Sequence, residues 1–211
     1  MLRAGLVGLA IASLPAGAPA HPHVFIDGGV DFVFDAAGRL SALRIVWIYD
    51  PLTSMFMLED LGIDPGSDLA PDARADLAAY QTEWDPGYDG DSYLWNGDRR
   101  VGLSGPRSAA ANLVDGRVEI RFLRAIETPF RPEAGTIAKI YDPTYYTAYF
   151  VTETPRLEGA ADGCRARVTP YTPSAPLAAL QQRLSDIAAD EDPADPDVGA
   201  LFADQVHLTC G

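Results

Sequence analysis

The clearest pattern along the chain is an alternation of period two near its start. From His23 to Phe34, the residues Val24, Ile26, Val30, Phe32 and Phe34 share one parity, and His23, Phe25, Asp27 and Asp31 share the other. This predicts a half-buried strand. A turn at Asp35-Ala36-Ala37-Gly38 leads into a second apolar run over 40–49, so the two strands form an antiparallel hairpin. With a tight turn, Phe34 faces Arg39 and His23 faces Asp50, a register that keeps each parity on its own side. Asp50-Pro51 then opens a helix, because Asp is a good N-cap and Pro is favoured at the first helical position. That helix runs to about Leu61. A loop over 62–70 separates it from a second helix between Pro71 and about Trp84.

Beyond this point the pattern shortens. The acidic stretch 85–91 (Asp-Pro-Gly-Tyr-Asp-Gly-Asp) reads as a solvated turn with a faint likeness to a calcium loop. It lacks the spacing and terminal Glu of an EF-hand. Short strands follow near 93–95, 100–103, 109–114 and 117–122, punctuated by the hairpin dipeptides Asn96-Gly97 and Asp115-Gly116. Strands at 137–141, 145–152 and 165–169 precede a helix from Ala175 to about Ala189, whose Leu177, Leu180, Leu184 and Ile187 share one face. A Pro-interrupted acidic loop over 190–197 and a strand over 205–210 close the chain. The fold class is α+β: a mainly antiparallel, sandwich-like β core with helices inserted after the first hairpin and near the C-terminus.

Composition narrows the function classes. Hydrophobic residues make up 47% of the 211, enough for a core, and the net charge of −14 argues against nucleic acid or anionic lipid as partner. Residues 1–20 read as a secretory signal peptide: Arg3, a short apolar run over 4–14, and the cleavage-type triplet Ala18-Pro19-Ala20. Residues 21–211 then form one exported domain, with the periplasm as the expected destination. In such a compartment Cys164 and Cys210 are expected to form a disulfide, although a free thiol pair acting as metal ligands is the alternative reading.

The chemistry concentrates at the new amino terminus. His21-Pro22-His23 places two of the three histidines next to a free amino group, and in an extended chain both imidazoles reach one ion. Pro22 has no amide proton, so the copper and nickel mode that uses deprotonated backbone amides is blocked. The motif Ile-Tyr-Asp-Pro occurs at 48–51 and again at 140–143, putting Asp50 and Asp142 at strand ends. Each Asp reads either as a cap or as a carboxylate flanking the histidines. His21, His23, Asp50 and Asp142 make a plausible set for zinc, and also for nickel or cobalt. Asp27 lies too far along the strand to join them without a bulge, and His207 reads as a packed or surface strand residue. No P-loop, Rossmann, H-E-x-x-H or G-x-S-x-G signature is present, so a binding protein is expected and not an enzyme.

The opening His-Pro-His-Val-Phe-Ile-Asp, then Trp47, Tyr49-Asp50, the block Tyr141-Asp142-Pro143-Thr144-Tyr145, Cys164 and the closing Val-x-Leu-Thr-Cys210 resemble the exported domain-of-unknown-function family 1007. The resemblance covers the whole mature chain. It implies a periplasmic metal-binding accessory of a nickel/cobalt-type membrane permease, with a role in zinc acquisition for some members. It carries His21 and His23 over as ligands first, then Asp50 and Asp142. Relatives carry an EF-hand-like stretch after the first hairpin; here 62–70 is a degenerate version of it. Two other classes stay open: a copper protein or enzyme using the N-terminal histidine as a brace, and an exported interaction domain whose histidines are incidental.

Overall fold

The computed structural model describes residues 22–66, 68–132, 135–187, 191 and 193–211. The first hairpin forms as the alternation requires, from β1 (Val24–Phe34) and β2 (Leu40–Tyr49). Helix α1 (Pro51–Asp60) follows, then α2 (Pro71–Thr82), β3 (Ser92–Asn96), β4 (Arg99–Val101), β5 (Leu103–Val114) and β6 (Arg117–Phe130). The remainder is β7 (Thr136–Ile140), β8 (Thr147–Val151), β9 (Leu157–Glu158), β10 (Cys164–Thr169), α3 (Ala175–Ser185), a short 3-10 turn and β11 (Gln205–Cys210).

Among the described residues the strands make two sheets. The first runs β5-β6-β2-β1-β8 with β9 also on β1, and the second runs β10-β11-β7-β3-β4. Pairing is antiparallel except where β8 and β9 join β1 in parallel. One continuous core holds Ile26, Phe32, Ile45 and Phe122 from the first sheet with Leu94, Ile140 and Leu208 from the second. The two sheets therefore form an α+β sandwich, with Leu58 of α1 and Leu77 of α2 plugged into the same core. Their approach is close at Gly28, where a Cβ would lie 3.3 Å from the Ile140 side chain.

The opposite face of the first sheet is polar, as the parity of β1 predicts. Asp27 pairs with Arg117 at 2.6 Å, Asp31 with Arg156 at 2.8 Å, and Arg44 with Glu158 at 2.7 Å. This settles Asp27 as an ion-pair partner of Arg117. His207 sits between Arg167 of β10 and Ile137 of β7, and burial followed by the Arg167 charge pushes its imidazole down.

The hairpin register departs from the expected one. Asp50 faces Phe25 and not His23: its N–H donates to Phe25 O at 2.8 Å, and the ladder continues from Ile26↔Tyr49. The cause lies at the turn. Asp35 Oδ1 accepts from the backbone N–H groups of Ala37 and Arg39, which tightens the turn. A bulge then follows between Val33 and Phe34, with the Ser41 hydroxyl donating to Val33 O at 3.0 Å. Strand β6 also outruns its expected end near residue 122. Arg124 takes an inward position there and stays buried because it donates to Ser104 O and Ser92 O, both at 2.8 Å, and to Asp89 O. Cys164 and Cys210 are directly paired across β10 and β11 and form a disulfide. No described helix is long and apolar enough to cross a bilayer.

Candidate functional site

The edge where β1 begins collects three of the four residues singled out from the sequence. His23 N–H donates to Tyr146 O at 2.8 Å, and its ring stacks on Tyr146 with centroids 4.6 Å apart. This bond starts the parallel pairing of Val24 with Thr147. Asp142 reaches the same point from the other direction. Its Oδ2 accepts from Thr147 N–H at 2.9 Å, and its Oδ1 accepts from the amide and hydroxyl of Thr144 at 2.8 and 2.9 Å. Asp50 lies two residues further along β1. His21 lies outside the described residues, as does the expected signal peptide at 1–20.

Asp50 caps a helix and Asp142 closes a turn. Asp50 is the N-cap of α1, its Oδ1 accepting from Thr53 N–H at 2.8 Å. Its Oδ2 accepts from the Thr53 hydroxyl at 2.7 Å and from Phe25 N–H at 3.0 Å, which ties the helix start to β1. Burial pushes this carboxyl up. The bonds from Thr53, Phe25 and the Leu52 amide outweigh it and hold the group below the usual carboxylate range. We expect Asp50→Ala to cost about 2 kcal/mol in urea unfolding, the upper range for an N-cap, because Phe25 N–H also loses its acceptor. Asp50→Asn should recover most of it. A loss within error of zero would mean that the cap contributes nothing.

Carboxylates offer about four acceptor positions. Asp142 fills three, leaving one on Oδ2, whereas Asp50 has the Leu52 amide as a further donor. Among the described residues no three His, Cys, Asp or Glu side chains converge as a ligand set. Asp142 thus keeps an open acceptor position on the peptide that His23 also binds, while the positions of Asp50 are taken up by Thr53, Phe25 and Leu52.

A second feature was not foreseen. Asp91, the last residue of the acidic stretch, is not solvated but buried, at 6% exposure. Its Oδ2 accepts from Tyr149 O–H at 2.8 Å, and Tyr88 also hydrogen-bonds to the carboxyl. Burial, then repulsion from the Asp142 carboxylate, raises it to about 7, against the pull of the two tyrosines and Arg124. Its backbone has φ of 45°, in the left-handed region that residues other than Gly seldom occupy. Gly90 before it, at φ 63°, packs so closely on Trp84 that a Cβ would run into the indole. A strained, buried, proton-holding carboxyl is a common mark of a functional site. Composition hid it, because Asp-Gly-Asp reads as a surface turn; the one available signal was that Tyr88 interrupts the acidic run.

Asp91 sits at the end of an open cleft of about 1050 Å³ between α1, α2 and the first sheet. Trp47, Tyr49 and Tyr149 form part of its wall, with Trp84 and Tyr88 in edge-to-face contact at 5.2 Å. Two bonds join its sides: Tyr49 O–H to Gln81 Oε1 at 2.5 Å and Tyr80 O–H to Asp60 Oδ2 at 3.0 Å.

Residues 6–210 match the profile of a family described as "Protein of unknown function (DUF1007)". No curated protein matches the chain.

Proposed function

Because the chain belongs to the domain-of-unknown-function family 1007, we propose that it is a periplasmic protein that binds one divalent transition metal, zinc first and nickel or cobalt next, and serves a membrane permease of nickel/cobalt type. On this reading His21 and His23 supply imidazoles at the mature amino terminus, and Asp142 supplies the remaining acceptor position on Oδ2. Asp50 keeps its capping role and positions β1. The protein is a carrier and not an enzyme. The disulfide is in keeping with an oxidising compartment.

The supporting observation is the shared anchor of His23 and Asp142. One binds the carbonyl of Tyr146 and the other the amide of Thr147, so both are fixed to the same peptide unit at the head of β8. A site fixed to rigid backbone needs little reorganisation when an ion arrives.

The test is calorimetric titration of the processed, metal-stripped protein with Zn²⁺, Ni²⁺, Co²⁺ and Cu²⁺. We expect one tight site that the double variant His21→Ala/His23→Ala weakens by at least about 100-fold, more than the loss of an outer-shell partner costs. Binding should also weaken on acidification through about pH 6, because imidazole must be neutral to ligate. Unchanged affinity in the double variant would remove the site. Preference for copper, lost when one extra residue precedes His21, would favour the histidine-brace class instead.

A further inference from the structure

We propose that the groove between α1 and α2 docks a basic amphipathic helix of a partner protein. The inference goes beyond the metal reading and does not depend on it. Thr147, whose amide binds Asp142, lines the same groove, so a docked helix stands beside the proposed metal site.

The first observation is an apolar face that the fold leaves open. Helix α1 buries Met57 and Leu58, yet Leu52, Met55 and Phe56 on its other side are 58%, 46% and 57% exposed. Their spacing of three and four residues sets them in one stripe. A helix that is apolar all round is normally covered all round. Tyr80 and Tyr88 are exposed as well, and with Phe56 they line the groove. Both methionines beyond the first residue, Met55 and Met57, belong to α1. Methionine adapts its shape to a partner and recurs on surfaces that take amphipathic helices. The groove is also formed in advance: Tyr80 O–H donates to Asp60 Oδ2 at 3.0 Å and ties α2 to α1, so little ordering is left for binding.

Charge then selects the occupant. Glu59 continues the stripe one turn beyond Phe56. Glu59, Asp60, Glu83 and Asp85 border the groove, and no Lys, Arg or His is among the described lining residues. The one basic residue in 51–85, Arg74, is turned away: it donates to Ala111 O and to Asn112 Oδ1 on β5. A second copy of this chain would set acidic rim against acidic rim across a two-fold axis, and an anionic lipid surface meets the same repulsion. A helix whose apolar stripe is flanked by Lys or Arg satisfies both parts of the surface. Its apolar side chains cover Leu52, Met55 and Phe56, and its cations face the rim.

The test uses a synthetic amphipathic peptide of about 18 Leu and Lys residues, long enough to form a helix, with a scrambled peptide of the same composition as control. Binding of the labelled peptides to the full processed chain is followed by fluorescence anisotropy. The amphipathic peptide should bind one to one and about ten-fold more tightly than the scrambled one. Leu52→Gln/Met55→Gln/Phe56→Gln should weaken it about 30-fold, the loss expected of a central anchor, and leave the urea midpoint unchanged because these side chains are exposed. Two further variants each remove three carboxylates. Glu59→Gln/Glu83→Gln/Asp85→Asn, at the groove, should weaken binding several-fold. Asp98→Asn/Asp115→Asn/Asp162→Asn, exposed and outside the groove lining, should change it by less than about two-fold, because distant surface charges are screened. Equal loss in the two charge variants, equal binding of the two peptides, or no binding of either overturns the proposal. So does self-association of the wild type that the Leu52/Met55/Phe56 variant abolishes in sedimentation equilibrium, which would assign the stripe to a second copy. Binding of phosphatidylcholine vesicles through the same three residues would assign it to lipid and overturn the proposal as well. The His21→Ala/His23→Ala variant should bind the peptide as the wild type does, so failure of this inference and failure of the metal reading are told apart.

Discussion

Replacing Asp91 by Asn should make the protein gain stability, relative to wild type, as the pH is raised from 5 to 8. In the folded chain burial pushes this carboxyl up to about 7, against 3.8 for an ordinary aspartate. Between those values the folded state holds a proton that the unfolded state has lost. The contribution of the neutral carboxyl is therefore complete below about pH 4 and falls as the pH rises to about 7, at up to ~1.4 kcal/mol per unit. Asn has the same shape and keeps an acceptor for Tyr149 O–H, but has no proton to lose. From pH 5 to 8 the difference between variant and wild type should shift by about 3 kcal/mol in favour of the variant, since roughly two units of the window are crossed. Urea unfolding of both proteins at the two pH values measures it. Asp50, Glu119 and Glu158 are shifted downward, so they stabilise above the ordinary carboxylate range and lose that effect in acid. Their contribution is common to both proteins and cancels in the comparison. A difference that stays constant from pH 5 to 8 would show that Asp91 is ionised throughout.

The second large effect is expected at the disulfide. Cys164 and Cys210 are 46 residues apart in sequence and face each other across β10 and β11. Closing a loop of this length stabilises by about 4 kcal/mol in the chain-entropy model. The loop contains α3 and the 3-10 turn, whose Leu184, Val198 and Phe202 pack on Tyr145 and Ala148 in a cluster separate from the main core. The double variant Cys164→Ala/Cys210→Ala should thus lower the urea midpoint markedly, and hydrogen exchange in α3 should rise before exchange in β1 or β2 does. An unchanged midpoint would mean that strand pairing alone holds this end of the second sheet.

Periodicity made much of this architecture readable. The inward residues of β1, the Asp-Pro start of α1 and the positive-φ turn at Asp115-Gly116 all follow from local rules, and all are present. The register was not readable, because it depends on where one extra residue is accommodated. Ser41 fills the bulge, and nothing in an isolated serine announces that role. The length of β6 was hidden for a related reason. Arg124 interrupts an apolar alternation, and only the folded chain brings the carbonyls of Asp89, Ser92 and Ser104 to its guanidinium. At the candidate site, the sequence placed His23, Asp50 and Asp142 at strand ends but left open whether the aspartates cap or ligate. The hydrogen bonds give Asp50 the N-cap of α1 and Asp142 the turn that leads into β8. Asp91 depends on long-range burial, which no local pattern encodes.

The parallel pairing of β1 with β8 has a consequence for assembly. A chain is made from its amino terminus, yet its first strand is completed by a strand from its second half. Until residues 146–151 are available, His23 has no Tyr146 carbonyl to bind and β1 has no β8 beside it. Contacts this distant in sequence form late, because the loop must close before they can be made. The head of β1 is thus made early and is among the last segments to be fixed in place. On the proposed metal reading, an ion at His23 is therefore captured by a finished fold.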